Sequence, residues 1–224
     1  MQHNMENENV QDLVVYGAGG LGREMAALIR AIDPQGKQWR MAGFIDDSFP
    51  ADSIVDDSLV LGGKTFLSRT ERPLSVVMGI ASPSAKYDIY QSLKDHSLLS
   101  FPILIHPTAW VEPSAQMAPG AVIGPFCFVA ISSCLGICTF MNVSSQLGHD
   151  AKLGDFCSVM PGAAVAGNVR VGSRTLIGAG VKILQGLNIG SQSTVGMGSV
   201  VLKDVPSRAT AMGYPARVVK KDDV

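Results

Sequence analysis

Hydrophobic and polar residues recur along the second half of the chain with a period of six. From Ile105 every sixth residue is aliphatic: Val111, Met117, Ile123, Val129, Leu135, Met141, Leu147, Leu153, Val159, Val165, Val171, Ile177, Ile183, Ile189, Val195 and Val201. Four residues after the aliphatic position comes a small or slender side chain, as at Ala115, Ala121, Cys127, Ser133, Thr139, Ser145, Ala151, Cys157, Ala163 and Thr175. Glycine recurs directly after the aliphatic position, at Gly124, Gly136, Gly148, Gly154, Gly172, Gly178, Gly190 and Gly196. The slender residue of one hexad and the aliphatic residue of the next are two apart, so both face the same side of a short strand. The remaining three residues turn a corner, where glycine serves positive φ or a close approach of backbones. Strand and corner repeated in this way close a triangular prism with about three hexads, hence about eighteen residues, per coil. Coils stack at about 4.8 Å, and the stack buries aliphatic residues that a single hexad cannot. The register runs from 105 to about 205 without an insertion, and residues 206–221 leave it at Pro206 and Pro215, as a capping segment does.

The residues before 105 follow another pattern. An apolar strand at 13–16 runs into Gly17-Ala18-Gly19-Gly20-Leu21-Gly22, and residues 23–32 read as a helix. Further strands are expected at 39–45, ending on Asp46 and Asp47, at 74–80 and at about 98–104, with a helix over 84–95. Strands alternating with helices predict a small parallel α/β sheet. Glycines after the first strand let backbone approach an anion, and the following helix offers unpaired N–H groups. Dinucleotide binding with Asp46 or Asp47 on a ribose is one reading, and tight strand–helix packing is another. The stretch ends near 104, about half of a full dinucleotide fold, so a mononucleotide fits better. The expected domains are therefore 1–104, a Rossmann-like half domain, and 105–224, the repeat domain with its C-terminal cap.

Composition narrows the partners. The 224 residues carry 18 Lys and Arg against 19 Asp and Glu, a formal charge of −1, with no basic stripe for nucleic acid or a membrane surface. The polar, acidic N-terminus lacks the basic and apolar segments of a signal peptide, which predicts a cytoplasmic protein without membrane insertion. Cys127, Cys134, Cys138 and Cys157 form no C-x-x-C pair and read as reduced thiols.

A truncated Rossmann-like unit, an Ile105-His106-Pro107-Thr108-Ala109 junction and the hexad register together resemble the sialic acid O-acetyltransferase and UDP-4-amino-sugar N-acetyltransferase family. The likeness runs over nearly the whole chain. It implies a left-handed parallel β-helix, a homotrimer with active sites between subunits, and acetyl-CoA as co-substrate. It also implies that Gly17, Gly19, Gly20, Leu21, Asp46 and Asp47 hold a nucleotide-linked sugar. Relatives that bind UDP-sugars commonly have Ser and His within the turn, where this chain has Gly19 and Leu21. A G-x-P-A stretch near the coenzyme corresponds to residues 213–216.

Of the four histidines, His3 lies in the N-terminal tail, His96 ends a helix and His106 belongs to the junction. His149 follows Leu147-Gly148 on a corner, where side chains project outward. By the resemblance it is the catalytic base, followed by the acidic Asp150. Acyl transfer needs a group that takes the acceptor's proton as it attacks the thioester, and imidazole suits that task. Asp150 would fix its tautomer. One coil above lies Gly167, whose N–H is a candidate oxyanion donor, with Asn168 over Asp150. Gly178 and Lys182 are expected on the coenzyme side. Ser158 stands where relatives often carry a second His and is expected at the acceptor. No metal and no covalent nucleophile are called for.

The expected activity is acetyl transfer to an amino or hydroxyl group of a sugar, with a 4-amino group on a nucleotide sugar for surface glycans as the first choice. O-acetylation of sialic acid and a non-catalytic trimeric scaffold are the alternatives. A γ-type carbonic anhydrase needs several His ligands for zinc, and this prism offers only His149. Sugar-1-phosphate nucleotidylyltransferases carry a far longer N-terminal domain.

Overall fold

The computed structural model describes residues 10–221. His3 lies outside them. The N-terminal elements are β1 (Gln11–Tyr16), α1 (Gly20–Ile32), β2 (Trp39–Ile45), β3 (Ile54–Val55), β4 (Ser58–Gly62), α2 (Lys64–Ser68), β5 (Leu74–Met78), α3 (Pro83–Leu93) and β6 (Leu99–Ser100). They build one sheet in the order β3-β4-β2-β1-β5-β6. All pairings are parallel except that of β3 with β4. Strand β1 has a neighbour on each side, and Leu13, Val14 and Val15 are fully buried. A strand covered on both faces needs no polar alternation, which explains the unbroken apolar run. Helix α1 buries Met25, Ala26, Leu28 and Ile29.

Two local features depart from the expected pattern. The hairpin β3–β4 and helix α2 lie in a stretch with no extended periodicity. Its signal is Asp56-Asp57, both at positive φ (47° and 60°), the requirement of a two-residue hairpin turn. The strand expected at 98–104 divides into β6 and a separate rung at Leu104–Ile105. Pro102 lies between them and has no N–H to donate to a ladder.

From Leu104 the chain forms two-residue rungs, each an outward residue followed by the aliphatic one of the hexad. Rungs eighteen residues apart pair in parallel, as Val122 with Phe140 and Gln146 with Ala164. One face carries the rungs at Leu104–Ile105, Val122–Ile123, Phe140–Met141, Ser158–Val159, Leu176–Ile177 and Thr194–Val195. A second face starts at Trp110–Val111 and a third at Gln116–Met117. Strand Ala209–Gly213 continues the first face and pairs antiparallel with Ala216–Lys221. This hairpin is the cap expected beyond 205.

Inside the prism, aliphatic residues from Ile123 to Val201 are almost fully buried. Each such side chain contributes about 1.5–3 kcal/mol. The slender column also points inward, and two of its polar members donate back to corner carbonyls: Ser133 Oγ to Ala130 O (2.7 Å) and Thr175 Oγ1 to Gly190 O (2.9 Å). Positive φ falls three residues after the aliphatic position and is carried largely by side-chain-bearing residues, among them Phe126, Ser132, Asp150, Asn168 and Arg174. The glycine column has the other function that was open to it. A Cβ at Gly172 would lie 2.5 Å from the Ser191 N of the next coil, and one at Gly154 would lie 2.6 Å from Ser173 N. Glycine is there because successive coils touch backbone to backbone.

Two compact units result. One holds the residues up to Ile80 with Ile89–Pro102; the other holds Ala81–Asp88 and the chain from Ile103 onward. The boundary expected between 104 and 105 therefore shifts slightly, and the first half of α3 belongs with the prism. Its anchors are specific. Ser158 Oγ donates to Ala81 O (2.8 Å), and Lys86 Nζ donates to Cys138 O (2.8 Å) and Cys157 O (2.9 Å). Tyr87 meets Phe156 edge-on at 5.4 Å and lies under the Arg174 guanidinium at 4.5 Å. Cys127, Cys138 and Cys157 are buried free thiols, with burial pushing Cys138 up to about 12 and Cys157 to about 11. Among the described residues no helix is long and apolar enough to cross a membrane.

Lys86 is fully buried, and burial depresses its ammonium from 10.5 to about 8, against the opposing influence of the Cys157 and Cys138 thiols. Between those two values the unfolded chain holds more protons than the folded one, so this group makes stability rise with pH. The raised thiols act in the opposite sense above their ordinary value, but do so with or without Lys86. Urea unfolding at pH 7.5 to 10.5 is expected to show wild type gaining stability relative to Lys86→Met across the window. A difference that stays flat contradicts a depressed Lys86.

Candidate active site

The corner that follows the rung Gln146–Leu147 carries Gly148, His149 and Asp150. Both neighbouring coils hold its backbone. The Asp150 N–H donates to Ile131 O below (3.0 Å), and the Asn168 N–H above donates to His149 O (2.8 Å). Asp150 and Asn168 occupy equivalent left-handed positions, φ 59° and 58°, which short polar side chains tolerate. Within this frame His149 Nδ1 lies 2.9 Å from Asp150 Oδ2, and both side chains are about half exposed (55% and 54%). A proton on Nδ1, donated to the carboxylate, leaves Nε2 with its lone pair. The imidazole lies flat against Gly167: a Cβ there would overlap Nε2, and would stand 2.6 Å from Cε1. The Gly167 N–H has no partner among the described residues. A base, a group that orients it and a free donor thus share one corner, which is the minimum for proton abstraction beside a developing oxyanion.

The remaining residues expected at the prism site are dispersed. Lys182 lies two rungs above Gln146 on the same face, and its Nζ donates to Gly162 O (3.0 Å). Gly178 belongs to the inter-coil glycine column, on another corner, where a Cβ would meet Met197 N at 2.6 Å. Ser158 requires a correction: it is fully buried and its hydroxyl is donated to Ala81 O, so it is not available to an acceptor. Ser158 is the outward residue of its rung, and the segment at Ala81 covers it. His106 turns back on its own junction, Nδ1 accepting from the Thr108 N–H (3.1 Å).

In the N-terminal unit the glycines divide into two groups. Gly17 has φ 105° and lies against Gly79 O, and a Cβ at Gly22 would overlap Gly17 O. These two serve strand–helix packing. Gly19 and Gly20 are exposed, and a Cβ on either would meet nothing within 4 Å. With Leu21 they begin α1, whose first N–H groups have no preceding carbonyl to bond. This open edge is the part of the turn that an anion can reach. The acidic pair is more occupied than expected. Asp46 Oδ2 accepts from the Ala18 N–H and Oδ1 from the Ser48 N–H, both at 2.8 Å. Asp47 accepts from Tyr16 Oη (2.5 Å) and the Lys64 N–H (2.8 Å), bonds that hold its carboxyl below the usual range. Asp46 retains lone pairs for a ligand at the turn, whereas Asp47 caps α2.

Large apolar residues around the corner went unnoticed in the sequence. Ile131 lies one coil below His149; Trp110 and Phe128 stack at 4.8 Å on the adjoining face; Leu184 and Leu202 follow higher on the same edge. All five are exposed. Their signal was available, since Trp110 and Phe128 stand at the outward position before an aliphatic residue and Ile131, Leu184 and Leu202 stand on corners, where side chains project outward. Two clefts, of about 560 and 600 Å³, open elsewhere in the N-terminal unit and include neither the glycine turn nor His149.

Comparison with known proteins agrees with both halves of the chain. Residues 12–93 match the PglD N-terminal domain, and residues 150–185 match the bacterial transferase hexapeptide (six repeats). GDP-perosamine N-acetyltransferase of Escherichia coli O157:H7 is 31% identical over 215 residues, covering 92% of this chain and 96% of that protein. PerB from Caulobacter crescentus, solved with CoA and GDP-perosamine, is 29% identical with a TM-score of 0.84, covering 93% of this chain and 97% of PerB. The acetyltransferase domain of PglB from Neisseria gonorrhoeae, solved with acetyl coenzyme A, is 28% identical with a TM-score of 0.85, covering 94% of this chain and 100% of that domain.

The contact between His149 and Gly167 can be tested without any substrate. In Gly167→Ala the added methyl should displace the imidazole from Asp150, seen as a changed chemical shift of the His149 Cε1 proton. Asn168→Ala, which leaves the contact intact, should not change it. An unmoved resonance in Gly167→Ala contradicts the packing described.

Proposed function

Since the chain belongs to the hexapeptide-repeat acetyltransferases that carry a PglD-type N-terminal domain, with GDP-perosamine N-acetyltransferase among them, we propose that it acetylates the 4-amino group of a nucleotide-linked sugar. The donor is acetyl-CoA, and the reaction belongs to surface glycan assembly in the cytoplasm. The observation that carries this reading is the corner where His149, bonded to Asp150, packs against Gly167, whose N–H has no partner among the described residues.

The reaction follows from that geometry. The sugar amine attacks the thioester carbonyl carbon as His149 Nε2 takes a proton from nitrogen. Asp150 stabilises the imidazolium through Nδ1, and the Gly167 N–H receives the negative charge on oxygen. Collapse of the tetrahedral intermediate breaks the C–S bond, and His149 returns the proton to the departing thiolate. No enzyme-bound acyl group is formed. Cys157, the thiol nearest in sequence, is inward and held protonated by burial, which fits direct transfer. The open start of α1 and Asp46 take the nucleotide, and Lys182, with Gly178, lies on the coenzyme side. A half-exposed base lacks the walls that exclude water, and the apolar residues flanking it favour cover by a second copy in a homotrimer.

Thiol release from acetyl-CoA with GDP-, UDP- and dTDP-4-amino-sugars and sialic acid separates the readings. A nucleotide 4-amino-sugar should be preferred, with His149→Ala lowering kcat by about 10²–10⁴-fold and Asp150→Asn by less. Preference for sialic acid would instead mean O-acetylation, and nucleotide-sugar binding without turnover of any acceptor would mean a scaffold. For the assembly, Trp110→Glu with Phe128→Glu is expected to convert a trimer into monomers by sedimentation and to reduce transfer; unchanged mass shows that this face is not the interface.

A further inference from the structure

Segment Ala81–Asp88 belongs to the same compact unit as the prism, yet acetyl transfer does not call for it. Its contacts fall on three successive coils at one edge. Lys86 Nζ donates to Cys138 O (2.8 Å) and to Cys157 O (2.9 Å). The Tyr87 ring meets Phe156 edge-on and lies under the Arg174 guanidinium, and Ser158 Oγ holds the start of the segment at Ala81 O. These coils are bonded in order at that edge, the Phe156 N–H to Ile137 O (2.7 Å) and the Arg174 N–H to Asp155 O (2.8 Å). Cys138, Phe156 and Arg174 follow Ile131, His149 and Gly167 by seven residues each, so they lie on the same three coils. The coils that meet at the His149 corner are strapped together at the next edge.

A fully buried ammonium is expensive, and the hydrogen bonds found for Lys86 are to two backbone carbonyls, with no carboxylate among the partners. An apolar side chain of similar length would fill the same volume at lower cost, but without directional bonds. The ammonium adds a fixed spacing, because one Nζ holds a carbonyl from each of two coils. The corner has use for that spacing. His149 stands on one coil and Gly167 on the next, where the imidazole leaves no room for a methyl group. Rungs of two residues contribute little pairing of their own to the spacing, and an oxyanion donor acts only at hydrogen-bond distance from the reacting oxygen.

We propose that Lys86 and Tyr87 are positioning residues for the catalytic corner: by strapping the coils of Ile131, His149 and Gly167 at the adjoining edge, they fix the Gly167 N–H relative to His149 Nε2. The inference rests on the reading of His149 as base and of Gly167 as oxyanion donor. Neither Lys86 nor Tyr87 touches substrate. Loosening the strap should slow the chemical step and leave the binding of both substrates as it was.

The test uses the full chain with GDP-perosamine and acetyl-CoA. Lys86→Met and Tyr87→Ala are each expected to lower kcat about tenfold, short of the roughly 10²–10³-fold that loss of an oxyanion donor costs, with both KM values within twofold of wild type. Both should shift the His149 Cε1 proton resonance, read without substrate. Tyr87→Phe, which keeps the ring between Phe156 and Arg174, should restore kcat and the resonance. Val201→Ala deletes core volume three coils above Leu147, so it should lower stability in urea without moving either readout. If Lys86→Met does not fold, Tyr87→Ala carries the same expectation. An unchanged kcat in both strap variants, beside an inactive His149→Ala, would overturn the proposal and leave an anchor of stability only. An equal fall in Val201→Ala, or a rise in either KM in place of a fall in kcat, would also overturn it. Wild-type kcat in His149→Ala would instead overturn the reading of the corner, and the proposal with it. If wild type turns over no acceptor, acetyl transfer itself is overturned and the resonance decides the strap: unmoved in Lys86→Met and Tyr87→Ala, it overturns the strap as well.

Discussion

The structure of the prism depends on one contact, the backbone-to-backbone approach of each coil to the next. Parallel rungs pair at a spacing of eighteen residues, and at corners such as those of Gly154, Gly172 and Gly190 there is no room between coils for a Cβ. Everything else is subordinate to that approach. Because the rungs are only two residues long, each coil has little pairing of its own, and the aliphatic column is buried only when the next coil covers it. Because every coil turns at the same three places, a residue inserted within a rung would shift every inward position that follows it. The uninterrupted register over 105–201 is the sequence trace of that constraint.

The same constraint explains what was legible. A period that must be kept by every coil is readable in one sequence, and it located the inward columns, the outward corners and the residue one coil above His149. The alignment of Gly167 with His149 needed only counting. What could not be counted was the division of labour among glycines. Gly172 and Gly162 are both corner residues, yet only Gly162 has positive φ (66°), while Gly172 answers to the neighbouring coil. The position with positive φ is mostly filled by residues such as Phe126 and Arg174, so composition gives no hint of it. Segments without a repeat were less legible. Helix α3 looked like one element of the α/β half, but a lysine that reaches buried carbonyls far along the chain has no local signature. For the same reason Ser158 looked like an altered site residue when it is a buried anchor.

The N-terminal turn shows how one glycine motif can answer two physical demands. A glycine fingerprint combines two demands, close packing of strand on helix and open approach for an anion. Here Gly17 and Gly22 meet the first, and Gly19 and Gly20 leave room for the second. The acids after β2 divide similarly. Asp46 ties the turn to the start of the next loop through backbone N–H groups, so it shapes the cradle as well as facing it. Asp47 is committed to Tyr16 and the start of α2. The acidic pair is therefore divided between one carboxylate that shapes the turn and one structural cap.

A corner is where the side chains of the proposed catalytic pair can meet. Inward positions are filled by the core, and the outward residues of the rungs project from the faces of the prism. Only the corners bring consecutive residues of different orientation together, so His149 and Asp150 can bond as neighbours while the coil above presents a bare backbone at Gly167. The cost of this placement is exposure. A base at a corner has a floor and an orienting partner from its own chain, but nothing to exclude water or hold a long donor beside it. In the proposed reaction those walls would come from the bound coenzyme and another chain, and the exposed Ile131, Trp110 and Phe128 beside the corner are the kind of surface such a neighbour would cover. Under the proposed function, the repeat that makes the site easy to locate is thus also the reason why one chain would not complete it.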